Sequence, residues 1–201
     1  ARNDKKHRSP VSNEKLRRIH KVMKIVIVGI QGAGKSTQGN LLSEKVNVPY
    51  LSTGHIFRQI ATEKTPLGRK VKEIMTAGFL QPDDLTVQVV ESYLDRPEYE
   101  KGYIIDGFPR TLEQVEIFKN NVDKVIYLDI SDNEALNRLQ FQGDGSRPDS
   151  STEAIKKRIE LFHEVTEPVI DYYRKKGLLL DIDGERSIEE IHKDILEKLG
   201  K

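Results

Sequence analysis

The chain has no cysteine and no tryptophan. Without cysteine there is no disulfide scaffold, thiolate zinc site, iron–sulfur cluster or cysteine nucleophile. Long apolar runs are also missing. Runs such as Ile25 to Val28 and Leu178 to Leu180 fall far short of the roughly 18 residues a membrane span needs. Internal repeats and low-complexity blocks are absent, and aromatic residues make up only 6%. What remains is 201 residues, 36% hydrophobic and 32% charged. That is one domain of ordinary size, with a polar surface and enough apolar side chains to bury its own core. The apolar segments recur with a clear period, which argues against disorder.

The net charge of +1 is unevenly spread. Residues 1–22 carry eight Lys or Arg against Asp4 and Glu14, leaving a body of −5 after them. An acidic body argues against nucleic-acid binding by the folded domain, although the basic segment could touch an anionic partner. Residues 1–22 read as a basic, flexible or removable N-terminal extension, with a docking helix or an oligomer contact as alternatives. The domain itself is expected over 23–201. A monomer is the default expectation for assembly. With no convincing targeting signal, the cytoplasm is the default for location, with no membrane association.

From Met23 onward strands and helices alternate. Short apolar runs predict strands at Lys24–Gly29, Val48–Leu51, Gly102–Ile105, Lys124–Ile130 and Leu178–Ile182. Helical periodicity falls between them. One long helical stretch, Thr152–Lys176, carries Pro168 and is expected to break or kink there. Strands without polar alternation, separated by helices, predict a parallel sheet covered on both faces.

The first strand runs into Gly29-Ile30-Gln31-Gly32-Ala33-Gly34-Lys35-Ser36-Thr37, which fits G-x-x-x-x-G-K-[ST] between a strand and a helix. At average glycine usage such a match arises by chance about one time in a hundred in a chain this long. The strand–helix context makes it rarer. Glycines let the chain wrap so that backbone N–H groups face phosphate oxygens, and the helix N-terminus adds partial positive charge. Lys35 supplies a point charge for the β- and γ-phosphates, and the hydroxyl of Ser36 or Thr37 can ligate Mg²⁺. A nucleoside triphosphate is the expected ligand.

Three further segments narrow the reading: Leu51-Ser52-Thr53-Gly54-His55-Ile56-Phe57-Arg58, then Asp106-Gly107-Phe108-Pro109-Arg110-Thr111-Leu112-Glu113-Gln114, then Arg138 through Arg158 with Arg147-Pro148-Asp149 between them. No Asn-Lys-x-Asp guanine motif is present, so a GTPase does not fit. Arginines, rather than a His or Cys constellation, dominate these segments. That suits transfer between two phosphates, where guanidinium groups bind oxygens bidentately. An acceptor phosphate with a second pKa of about 6 needs no catalytic base.

With the phosphate loop, these segments resemble the nucleoside monophosphate kinases, most closely the short-lid adenylate kinases, from about Met23 to the C-terminus. The resemblance implies a three-layer α/β P-loop kinase fold with a five-stranded parallel sheet, an acceptor-binding region at about 52–81 and a short lid at about 142–150. It implies reversible transfer of the γ-phosphoryl of MgATP to AMP, giving two ADP and serving adenine nucleotide balance. Lys35, Arg110, Arg147 and Arg158 would be catalytic. Gly32, Ala33, Gly34, Lys35, Ser36, Thr37, Arg138, Gln142 and Arg186 would hold ATP, with Arg138 stacked on the adenine and the loop Gly184 to Arg186 approaching it. Thr53, Arg58, Phe79, Leu80, Gln81, Gly107, Phe108, Pro109, Arg110, Gln114, Arg147 and Arg158 would hold AMP. Ser36 and Asp106 would serve Mg²⁺, Asp106 through water, and no zinc is expected. His55 and His163 are assigned no metal.

Four residues depart from the family pattern: Ser36 for glycine, His55 for aspartate, Gln142 for a lid arginine and Ser150 for the second acid of Asp-Asp. A lost charged contact costs about 1.5–3 kcal/mol, roughly one to two decades of rate. Gln142 is therefore expected to weaken catalysis and loosen donor selectivity. A UMP/CMP kinase on the same fold is the nearest alternative. Thr53 and Gln114 lean toward adenine, because similar pyrimidine kinases usually carry Ala after the Ser. A nucleotide-binding regulatory protein with weak transfer is the other alternative. ATP and GTP remain open as donors.

Overall fold

A computed structural model of the chain describes residues 23–119, 121–142 and 151–201. Residues 1–22, the lid residues 143–150 with Arg147, and the Gln142 side chain therefore lie outside the described part.

Five strands form one parallel sheet in the order β2-β3-β1-β4-β5. They are β1 Met23–Val28, β2 Tyr50–Ser52, β3 Gly102–Asp106, β4 Lys124–Asp129 and β5 Leu179–Asp183. The central run from Ile25 to Val28 is buried, as expected of a strand flanked by helices on both faces. The helices are α1 Lys35–Val46, α2 Thr53–Thr62, α3 Pro66–Thr76, α4 Asp83–Leu94, α5 Leu112–Ile117, α6 Asp132–Gln142, α7 Thr152–Leu161, α8 Glu167–Lys175 and α9 Ile188–Leu199. The main core gathers β1, β4 and Ile104 with side chains of α1, α8 and α9. A second cluster joins Leu51, Tyr103 and Ile105 to Val87 and Val90 of α4.

Two expectations shift. Strand β2 begins at Tyr50, two residues later than predicted. Val48 is instead tied to the end of α1, its N–H on the Ser43 carbonyl and its carbonyl taking the Ser43 hydroxyl. Pro49 has no N–H to give the ladder, although its carbonyl accepts from Ile104. The interruption expected at Pro168 takes the form of a widened turn just before it rather than a break. The chain widens into a π turn over Phe162–Thr166, and Pro168 occupies the second position of α8, where its missing N–H is harmless.

The strand register sets up the site. Tyr50 pairs with Ile104 and Ser52 with Asp106. Alternation sends these four to one face, toward α1, and Leu51 and Ile105 to the other. The Tyr50 ring lies against Gly39 of α1, where a Cβ would come within 2.8 Å of Cδ2. The phenol is held at its far end, its hydroxyl donating to Asp106, so the ring is not free to swing aside. Replacing Gly39 by Ala is expected to lower stability by about 1–3 kcal/mol, the range for overpacking. Scanning calorimetry would show this as a melting temperature several degrees lower.

Candidate active site

The phosphate loop closes on itself through the Ala33 N–H, which donates to the Ile30 carbonyl at 3.2 Å. Gly34 then takes a left-handed conformation at φ 86° and begins α1. Helices α2, α3, α5, α7 and α9 each start on a Ser or Thr whose side chain accepts a backbone N–H. Helix α1 has no side-chain cap and no acidic residue in its first turn. Its leading N–H groups are thus left for an outside acceptor, and an anion suits them best.

Lys35 lies at the floor of the cleft, its Nζ donating to the Ile30 carbonyl at 2.8 Å. Burial of the ammonium pushes its pKa down to about 8. Asp106 opposes the shift and Arg110 adds to it. Asp106, at the end of β3 and only 6% exposed, accepts the Ser36 hydroxyl at 3.2 Å and the Tyr50 hydroxyl at 2.8 Å, both on Oδ2.

Three predicted arginines meet in one cavity of about 330 Å3 with the loop and Asp106: Arg58, Arg110 and Arg158. Arg110 is held from several sides. Its N–H donates to Gln114 Oε1 at 2.7 Å, its Nε donates to the Gly107 carbonyl at 2.9 Å, and its carbonyl accepts from Thr166 at 3.0 Å. Arg158, on α7, spans the cleft from Gln31 Oε1 in the loop (3.1 Å) to the Met75 carbonyl at the end of α3 (3.2 Å). Thr53, Phe79, Leu80, Gln81, Gly107, Pro109 and Gln114 line the same cavity, as do Gly32, Gly34, Ser36 and Thr37. Thr53 Oγ and Gln81 Oε1 are buried without a hydrogen-bond partner.

Other predicted residues are placed differently. The side chains of Ala33 and Phe108 are in the core, the Phe108 ring edge-on to Phe118 at 4.9 Å. Their part in any site falls to the backbone. Gln114 lines the cavity from a buried position, and its amide joins the Arg110 N–H to Asp83 Oδ1 (2.7 Å). Arg138 and Arg186 lie outside the cavity lining. Arg138 pairs with Glu134 and donates to the Gly184 carbonyl at 2.9 Å, which joins it to the predicted loop. The Arg186 side chain turns to Asp194 at 2.6 Å. His55 is exposed. His163 is partly exposed and sits between Glu167 and Asp132, whose carboxylates raise its pKa. Among the described residues no group of three or more His, Asp or Glu could hold a metal ion by itself, and no helix is long and apolar enough to cross a membrane.

The sequence reading missed Tyr50, Gln31 and Thr166. Gln31 lies inside the loop motif at a position open to any residue. Thr166 stands eight residues after Arg158, a spacing that carries no signal unless the helix phase is known. Tyr50 could have been found only from the register of β2 on β3.

Comparison with known proteins supplies an independent line. Residues 27–178 match the family model described as adenylate kinase. A protein of Caldicellulosiruptor bescii named adenylate kinase is 33% identical, covering 89% of this chain and 99% of its own. One of Archaeoglobus fulgidus with the same name is 34% identical, over 88% of this chain and 99% of its own. One of Corynebacterium glutamicum is 38% identical, over 89% of this chain and all of its own.

Proposed function

Given that the chain belongs to the adenylate kinase family, we propose that its cleft transfers the γ-phosphoryl group of ATP to AMP, reversibly, giving two ADP. The observation that carries this reading is the gathering of Lys35, Arg58, Arg110 and Arg158 around one cavity that also holds the uncapped start of α1. Two polyanions repel each other, so the work of such a site is to neutralise and align them.

The loop N–H groups and Lys35 would take the donor phosphates. Arg58 and Arg110 would grip the acceptor phosphate. Arg158, reaching from the loop to the end of α3, would stand between the two and follow the group in transit, joined by Arg147 of the lid. No side chain need act as base, because the acceptor oxygen is already anionic at neutral pH. Thr53, the segment Phe79 to Gln81 and Gln114 would enclose the acceptor base. Arg138 and the Gly184 loop would meet the donor adenine. The region 52–81 and the lid at 142–150 would close over the substrates, excluding water.

A magnesium ion fits this donor set. Ser36 and Asp106 offer hard oxygen ligands beside the phosphate loop, and Mg²⁺ commonly takes one or two carboxylates together with substrate phosphates and waters. The ion would supply positive charge to offset that of the phosphates. Asp106 would orient its water shell, and Ser36 would approach it directly.

Steady-state transfer from MgATP to AMP, CMP, UMP and GMP, measured in parallel, tests the reading. AMP is expected to lead in kcat/KM by at least about tenfold, as buried polar groups shaped for one base reject another. A lead for CMP or UMP would reassign the acceptor pocket, and no transfer with ATP still bound would remove the kinase reading.

A further inference from the structure

Tyr50 belongs to none of the motifs, yet its hydroxyl ends in the same place as theirs. It comes from β2, the edge strand, directly after Pro49. In the register Tyr50 lies opposite Ile104, so Asp106 is its diagonal neighbour on the same face. Adjacent strands are about 4.8 Å apart and two residues advance about 6.6 Å, which makes the diagonal about 8 Å between Cα atoms. Only a long side chain covers that distance. The Tyr50 hydroxyl does so and donates to Asp106 Oδ2 at 2.8 Å.

Packing alone would not call for the hydroxyl. The ring fills the groove over Gly39, and phenylalanine would fill it equally well. A half-buried phenol that donates to a buried carboxylate satisfies two groups that would each be costly alone. Ser36 donates to the same oxygen at 3.2 Å. Among the described residues no hydrogen bond reaches Oδ1 of Asp106. One carboxylate oxygen is thus fixed by the protein from two directions, and the other is left for a different partner.

We propose that Tyr50 is a positioning residue for the metal-organising carboxylate: with Ser36 it pins Oδ2 of Asp106, so that the carboxylate is presented in one orientation to the water shell of the nucleotide-bound divalent cation. The inference rests on the reading of Ser36 and Asp106 as the Mg²⁺ pocket.

The test uses the full chain with ATP and no acceptor, and Mn²⁺ as the probe. Free Mn²⁺ is read by its electron paramagnetic resonance signal as it binds the protein–ATP complex. Tyr50→Phe is expected to weaken Mn²⁺ affinity by about three- to tenfold, the scale of a typical net hydrogen bond, because the phenol acts on the ion only through Asp106. ATP affinity in EDTA should hold, while the melting temperature falls by a few degrees as Asp106 loses a donor. In an Asp106→Asn background the same substitution should cause no further loss. Unchanged Mn²⁺ affinity in Y50F, or an equal loss of ATP affinity in EDTA, overturns the inference while leaving the metal pocket intact. A wild-type complex that binds Mn²⁺ no better than ATP alone removes the pocket and the inference together. A second readout needs no substitution. With tyrosine carbons labelled, the Tyr50 Cζ resonance should move when Mg²⁺ joins the ATP complex, and a static resonance counts against the proposal whether or not Y50F folds.

Discussion

Replacing Lys35 by Met is expected to lower phosphoryl transfer by about 10²–10³-fold while the fold survives. The ammonium sits at the floor of the cleft and rests on the Ile30 carbonyl at 2.8 Å, inside the loop that would wrap the phosphates. Preorganised charges of this kind, aimed where negative charge develops, each contribute about 2.7–4 kcal/mol to the barrier. Methionine keeps the length and volume of the side chain, so the loss is electrostatic. Steady-state kinetics with a melting curve separates it from unfolding.

The same residue gives a pH signature. Burial holds Lys35 near pKa 8 in the free protein, against 10.5 for an ordinary lysine. In the window from 8 to 10.5 the unfolded chain therefore binds more protons than the folded one. The cost of the buried charge, present below pH 8, is relieved as pH rises through that window. A polyphosphate beside the ammonium acts in the opposite direction, because it favours the charged form. Binding of ATP near pH 9 should draw in about one proton per protein. Titration calorimetry in buffers of different ionisation enthalpy measures that uptake, which K35M should abolish.

The second large effect concerns Arg110. Replacing it by Lys keeps the charge and is expected to reduce kcat/KM for AMP by about 10²-fold, close to 2.7 kcal/mol. The planar fork binds two phosphate oxygens at once, and an ammonium is only a point charge. The surroundings explain why the loss should be local. The backbone of Arg110 is fixed by Gln114 through its N–H and by Thr166 through its carbonyl, and neither bond depends on the side chain. Among the described residues, the side chain gives up its bond from Nε to the Gly107 carbonyl. AMP affinity should fall while ATP affinity and the melting temperature stay close to the wild type. A comparable fall in ATP affinity would place Arg110 between the two substrates and take it out of the acceptor site.

Much of this site was legible because its signals are local. The glycines, Lys35 and Ser36 are contiguous, and the apolar strand before them announces the turn. Asp106 and Arg110 are likewise contiguous, at the end of a fully buried strand. What escaped was whatever depended on registration between separate elements. Val48 looks like a strand residue by type, but its backbone bonds are spent on the end of α1. Gln114 was singled out by its segment, but its partner was not: Asp83, thirty-one residues earlier, accepts from its amide. Pro168 was recognised as a discontinuity, but a proline alone does not say whether a helix ends, kinks or widens.

The π turn before Pro168 acts as a correction of phase. On a helix of 3.6 residues per turn, a spacing of four drifts by about 40° with each step. Arg158, Phe162 and Thr166 are spaced four and four, so on a regular helix the third would have drifted about 80° from the first. The wider turn over Phe162–Thr166 takes back part of that drift. All three line the cleft, and Thr166 reaches the Arg110 carbonyl at 3.0 Å. The extra residue works like a shim. It adds no chemistry of its own, but it lets one continuous rod present a guanidinium on one turn and a bracing hydroxyl two turns later to the same small space.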